Sequence, residues 1–579
     1  MRRSAIYFPS AGALLCGTAL FAAPAAADDA KCTALATLSL PEVTSITATP
    51  VAAGTFVVPP PFPGLPPGPP VPVAFCRVQI TVAPQIKIEV WLPTPDKWNH
   101  RYQAEGGGGY AGVISFSALA AAVTGDAVTG PFATASTDTG HPAAGTTNGQ
   151  GGANGAQGGG GFALNPATDQ LNDGLIVDFA SRSGHEMTMK AKAVIQAYYG
   201  EAQKFSYWNG CSTGGRQGFI EAQRFPEDYD GILAGAPAFN WDRFIPAELW
   251  PEVVMNLNLG APISPAKFNT VTAAAIKACD GTDGVVDGVI GDPRKCQFDP
   301  HTLICGKSGA PTDGTCLSDA EADSVQQIWQ GARGPKGEFL WFGLEPGASF
   351  AGLAGSTAGG ALAPFTITLD HWRLWIMQNP AFDWRTLDRV SFAAGFEESQ
   401  DKFHAVIGTD DPDLSAFHRH GGKVITYHGW TDQLIFPRGS INYFQRVVAT
   451  NGGLERVRQF DRLFMVPGMN HCAGGAGAVN FGQSGVTPVS LDPAHDAVLA
   501  LMRWVEEGIA PDTFIATTDP QPQHAKENPT APQTFTRLLC PFPDVARFKG
   551  TGDPNDAANF VCIGGDDGHG PDRDGNHGD

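Results

Sequence analysis

Apolar residues along this chain recur in short runs at strand spacing, separated by stretches at helical spacing, and the alternation predicts an α/β fold. Val78 to Leu92 is strand-like, and Tyr102-Gln103-Ala104 leads into four glycines, Gly106 to Gly109. From Glu186 to Tyr199 the apolar residues Met189, Ala193, Val194 and Ala197 fall at helical spacing, and Phe205-Ser206-Tyr207-Trp208 follows as a short strand. A helix is expected from Gly215 to Arg224, stopped by Pro226. From about Phe239 to Asp410 the alternation fades into glycine-rich loops, cysteines and aromatic helical pieces such as His371-Trp372-Arg373-Leu374-Trp375. It returns with strands at Lys423 to Tyr427 and Gln459 to Val466 and a helix at Asp496 to Glu507. The layout predicts a core in two parts, residues 28–238 and 411–563, with residues 239–410 inserted between them as a lid.

The two ends differ from this body. Arg2 and Arg3, an apolar run from Ala11 to Ala23, and Ala25-Ala26-Ala27 predict a secretory signal peptide over residues 1–27. Residues 564–579, rich in Gly, Asp and His, are expected to be a disordered tail. The Pro-rich run Pro59 to Pro72 and the Gly-rich run Gly145 to Gly161 are poor candidates for regular structure. No later stretch holds 18 uninterrupted apolar residues, so no membrane span is expected.

Without the signal ten cysteines remain: Cys32, Cys76, Cys211, Cys279, Cys296, Cys305, Cys316, Cys472, Cys540 and Cys562. An even number in a secreted or periplasmic chain predicts five disulfides, and no C-x-x-C pair points to zinc. The formal net charge is −20 and argues against nucleic acid as a partner.

Gly210-Cys211-Ser212-Thr213-Gly214 fits the G-x-S-x-G frame of a nucleophile elbow, and helix, strand, elbow, helix is the order of an α/β-hydrolase. Serine needs a base and a group to orient that base. Asp432 follows the strand at 423–427, and His471 follows the strand at 459–466, so Ser212, Asp432 and His471 stand in the chain order of this fold. His428, near Asp432, is an alternative base. If Cys211 pairs with Cys472, the bond brings Ser212 and His471 together, which favours His471. One oxyanion donor would be the Thr213 amide, with a second from the turn at Gly106 to Gly109. Asp280, Asp283 and Asp287, each with a glycine beside it, lie on one tight loop that suits calcium or is simply an acidic solvated turn.

The run Cys211-Ser212, then Asp432, then His471-Cys472 resembles the CS-D-HC motif of the tannase and feruloyl esterase family, which includes mono(2-hydroxyethyl) terephthalate hydrolase. Ser136 to His141, Arg224 to Gly231, Gly235-Ala236-Pro237 and Asn559 to Cys562 add to the likeness. The resemblance implies a secreted serine esterase of feruloyl or galloyl type. Its substrate would be a small aromatic ester, carried on plant polysaccharide or tannin. It points to Gly108 or Gly109 for the second oxyanion donor. It also implies a structural calcium ion in the lid, held by Asp280, Asp283 and Asp287 with the carbonyls of Val285 and Val289. In the lid, Trp341, Phe342, Trp372, Trp375 and Trp384 are candidates for an aryl slot. Two other readings remain: hydrolysis of other small esters or polyester fragments on the same machinery, and a non-catalytic secreted binding protein that keeps the fold.

Overall fold

The computed structural model describes residues 29–60, 66–141, 159–518 and 534–565. The expected signal peptide, nearly all of the expected tail and most of the Gly-rich run lie outside the described residues.

One nine-stranded sheet organises the chain. Its strands are β1 (Val43–Val51), β2 (Phe75–Val82), β3 (Ile86–Pro93), β4 (Arg101–Glu105), β5 (Ala133–Thr137), β6 (Phe205–Cys211), β7 (Gly231–Gly235), β8 (Lys423–Gly429) and β9 (Asp461–Val466). Their spatial order is β1-β2-β3-β5-β4-β6-β7-β8-β9. Pairing is antiparallel from β1 to β5 and parallel from β5 through β4 to β9. The expected strand 78–92 is therefore a hairpin, β2 and β3, broken at Ala83-Pro84-Gln85 where proline removes a ladder donor. The parallel strands are buried on both faces, so β7 and all of β8 except Lys423 are apolar or buried-polar throughout.

Helices Ser183–Tyr199 and Ala497–Glu507 pack on the sheet, and Thr213–Arg224 starts directly at the end of β6. Between β7 and β8 no described residue belongs to a sheet strand. Helices Trp241–Ala247, Trp250–Leu259, Pro265–Cys279, Asp319–Gln330 and Arg389–Ile407 fill that interval around an aromatic core that includes Trp250, Trp372 and Phe392. The structure holds five disulfides: Cys32–Cys76, Cys211–Cys472, Cys279–Cys296, Cys305–Cys316 and Cys540–Cys562.

Several buried carboxyls make stability depend on pH. Burial pushes Asp461, at the start of β9, up to about 8, and does the same to Glu105 and Glu252. In the unfolded chain such groups titrate near about 4, so between the two values the native state holds protons that the unfolded state releases. Their contribution to stability is present at low pH and is lost as pH rises. Buried His371, pushed down to about 3, acts in the opposite sense, but only below its ordinary value of about 6.5. The melting temperature is therefore expected to fall between about pH 6.5 and pH 8, with a shallower fall in Asp461→Asn. A rise over that window in calorimetry would contradict the assignment.

Candidate active site

The elbow is built from backbone close approach. Ser212 sits between β6 and helix Thr213–Arg224 at φ 64° and ψ −125°, a conformation that costs a non-glycine residue energy. It is held there by its amide, which donates to the Gly235 carbonyl at 2.9 Å, and by its carbonyl, which accepts from Arg216 N at 3.0 Å. The flanking glycines permit this packing. A Cβ on Gly210 would lie 2.7 Å from the Gly214 carbonyl, and one on Gly106 would lie 2.6 Å from Gly214 Cα. The Ser212 hydroxyl is thus presented at the C-terminal edge of the sheet, at the positive end of a helix.

His471 follows β9 and meets Asp432, which follows β8. His471 Nδ1 lies 2.8 Å from Asp432 Oδ2. Asp432 is fully buried, and its Oδ1 accepts from the amides of Leu434 and Ile435, both at 2.9 Å. Burial opposes its charge, but His471 and His428 beside it hold the carboxyl well below the usual range. A carboxylate at Nδ1 places the hydrogen there and leaves Nε2 of His471 as an acceptor.

His428 also reaches Asp432 Oδ2, with Nε2 at 3.1 Å, but the same nitrogen faces the Ile435 carbonyl at 3.1 Å. Its Nδ1 lies 2.8 Å from Ser440 Oγ. With both nitrogens engaged and the ring fully buried, His428 is closed off, whereas His471 lines the cavity that Ser212 also lines. Cys211 and Cys472, bonded with their Cα atoms 5.9 Å apart, join the residue before Ser212 to the residue after His471.

The glycine turn separates into two pairs. Gly106 N donates to the Asn209 carbonyl and Gly107 N to Gln217 Oε1, each at 2.9 Å. The amides of Gly108, Gly109 and Thr213 have no acceptor among the described residues, and all three residues line the cavity. The Thr213 hydroxyl donates to the Gly109 carbonyl at 2.5 Å and fixes that turn against the elbow.

The cavity encloses about 1380 Å³, room for an aromatic acid and a substantial alcohol. None of Trp341, Phe342, Trp372, Trp375 and Trp384 lines it; they pack into or against a buried aromatic core that also takes in Tyr110 and Phe179. Its aromatic wall is Trp241, Phe244 and Phe365. Sequence reasoning also missed Glu248 on that wall. The available signal was a lone charge in the run Phe244-Ile245-Pro246-Ala247-Glu248-Leu249-Trp250.

The acidic loop lies at the end of helix Pro265–Cys279, closed by Cys279–Cys296. Asp280 accepts from the amides of Asp287 and Gly288, and Asp283 from that of Val285. Burial and the neighbouring carboxylates raise Asp280, and push Asp283 up to about 6. Arg537 pairs with Asp287. Three carboxylates on one loop, one of them paired with Arg537, offer hard oxygens of the kind calcium takes. The three carboxylates do not all converge to within 4.8 Å of one another; among the described residues the one such group is His185, Glu221 and Asp228.

The chain is similar to known proteins over most of its length. The model of the family described as tannase and feruloyl esterase matches residues 71–563. A probable feruloyl esterase of Arthroderma benhamiae is 38% identical over 510 residues, covering 87% of this chain and 88% of that protein. The crystal structure of feruloyl esterase B from Aspergillus oryzae superposes with a TM-score of 0.76 at 30% identity, covering 92% of this chain and all of the other. A tannin acyl hydrolase from Aspergillus niger shares the fold, with a TM-score of 0.72 at 24% identity over 94% of this chain and 97% of its own. With an α/β-hydrolase sheet, an elbow at its C-terminal edge and relatives over nearly its full described length, the chain belongs to the tannase and feruloyl esterase family of carboxylic ester hydrolases.

Proposed function

We propose that the protein is a secreted esterase that releases aromatic acids of feruloyl or galloyl type through a Ser212, His471 and Asp432 triad. The observation that carries this is the single cavity in which Ser212 and His471 meet, with Asp432 on Nδ1 of the base and a disulfide tying the two loops.

His471 Nε2 takes the hydroxyl proton as Ser212 Oγ attacks the ester carbonyl carbon. Buried Asp432 stabilises the imidazolium that forms. Negative charge on the carbonyl oxygen is received by the Thr213 amide and one from Gly108 or Gly109, donors worth about 10²- to 10³-fold each in rate. The tetrahedral centre collapses, the C–O bond breaks, and His471 returns the proton to the departing alcohol. Water, activated by the same base, then attacks the acyl-serine, and the acid leaves with Ser212 restored. Trp241, Phe244 and Phe365 supply apolar surface for an aryl group.

Five disulfides favour an oxidising compartment. No helix among the described residues is long and apolar enough to cross a membrane. Loop 280–289 would hold calcium through Asp280, Asp283 and Asp287 with the carbonyls of Val285 and Val289; the ion would screen the three carboxylates from one another. Addition of EDTA is expected to lower the melting temperature by several degrees, and calcium to restore it. An unchanged melting curve would remove the ion from the account.

Assay of methyl ferulate, methyl gallate and mono(2-hydroxyethyl) terephthalate tests the substrate class. Turnover of at least one of the first two, well above the terephthalate, is expected. Turnover of none of the three would overturn the reading.

A further inference from the structure

Helix Trp241–Ala247 and the residue that follows it place Trp241, Phe244, Ile245 and Glu248 on one wall of the cavity. Glu248 is out of character there. It is 2% exposed, and its Oε2 is buried with no hydrogen-bond partner among the described residues. Among the described residues it holds no backbone amide and pairs with no cation, so it does none of the tasks for which a carboxyl is usually kept inside a protein. Burial, and then the charge of Asp432, push it well above the usual carboxylate range, which favours its neutral form.

A neutral carboxyl has one donor and one acceptor, as does a phenol. No described residue partners Glu248 Oε2, and Glu248 lines the cavity, so a ligand there is within its reach. We infer that Glu248 is a specificity-determining residue that exchanges a hydrogen bond with the ring hydroxyl of a phenolic acyl group lying against Trp241 and Phe244. This rests on the ester-hydrolase reading above and names the residue that reads the ring hydroxyl. An acyl ring without the hydroxyl leaves a buried polar group unpaired, and a ring carrying a carboxylate sets an anion against a site already facing Asp432.

The test compares methyl p-coumarate with methyl cinnamate, which lacks only the ring hydroxyl, in the wild type, Glu248→Gln and Glu248→Leu. The wild type should prefer the phenol by about 10- to 100-fold in kcat/KM. Glu248→Gln, whose amide still offers a donor and an acceptor, should keep part of that preference, and Glu248→Leu should bring the ratio near one. A wild-type ratio near one, or a ratio unchanged in both variants, would overturn the inference while leaving the esterase reading intact. Hydrolysis of neither ester would also overturn the inference, while the esterase reading stands or falls on methyl ferulate and methyl gallate. If Glu248→Leu does not fold, the wild-type ratio and its change in Glu248→Gln decide the matter alone.

Discussion

Ser212→Ala is expected to lower kcat/KM for methyl ferulate by about 10⁵- to 10⁶-fold while leaving the melting temperature nearly unchanged. The hydroxyl is the only group the substitution removes. The strained backbone at φ 64° is held by the Gly235 and Arg216 hydrogen bonds, neither of which uses the side chain. Binding surface and oxyanion amides stay in place, so residual turnover above the uncatalysed rate is expected from them alone. A loss of less than about a hundredfold would mean that another nucleophile serves the cavity.

The second large effect concerns the disulfide beside the serine. In Cys211→Ser/Cys472→Ser the sequence separation of 261 residues is no longer closed at this point. The chain-entropy relation gives about 5 to 6 kcal/mol for a loop of that length, an upper figure since residual structure in the unfolded chain reduces it. Against a typical stability of about 5 to 15 kcal/mol this is a large fraction, so the melting temperature should fall markedly. The rate should fall too. Cys472 adopts φ 66° and directly follows His471, so the bond fixes the loop that carries the base. Freed of it, a misplacement of about 1 Å would cost on the order of 10²-fold in kcat. Measured at a temperature where the variant is still folded, a wild-type kcat would show that the bond serves stability alone.

Much of the site was legible in sequence because its signals are local. A nucleophile elbow needs small residues within a few positions of the serine, and Gly210 and Gly214 supply them. Asp432 and His471 each follow a buried strand rich in apolar residues, which periodicity finds. The strand β7, Gly-Ile-Leu-Ala-Gly, escaped notice because its glycines exist for packing: a Cβ on Gly235 would collide with Tyr427 and with Cys211 Sγ. The edge strand β1 was missed for a different reason, its exposed Thr and Ser residues giving no clean alternation.

The lid resisted most. Trp372 and Trp241 are both fully buried and belong to the same aromatic core, and only the tertiary arrangement makes Trp241 cavity wall as well. Between the two glycine pairs of Gly106 to Gly109, the choice likewise depends on partners distant in sequence, Asn209 and Gln217. Exclusion of His428 needed Ser440 and the Ile435 carbonyl, contacts that no spacing announces.

The most direct test of the central claim is mass spectrometry of the intact protein quenched with acid during turnover of methyl ferulate, followed by peptide mapping. A population heavier by one feruloyl group, with the added mass on the peptide containing Ser212 and absent from Ser212→Ala, is predicted. Covalent label on any other residue, or ferulate release by Ser212→Ala within about a hundredfold of the wild-type rate, would contradict the account.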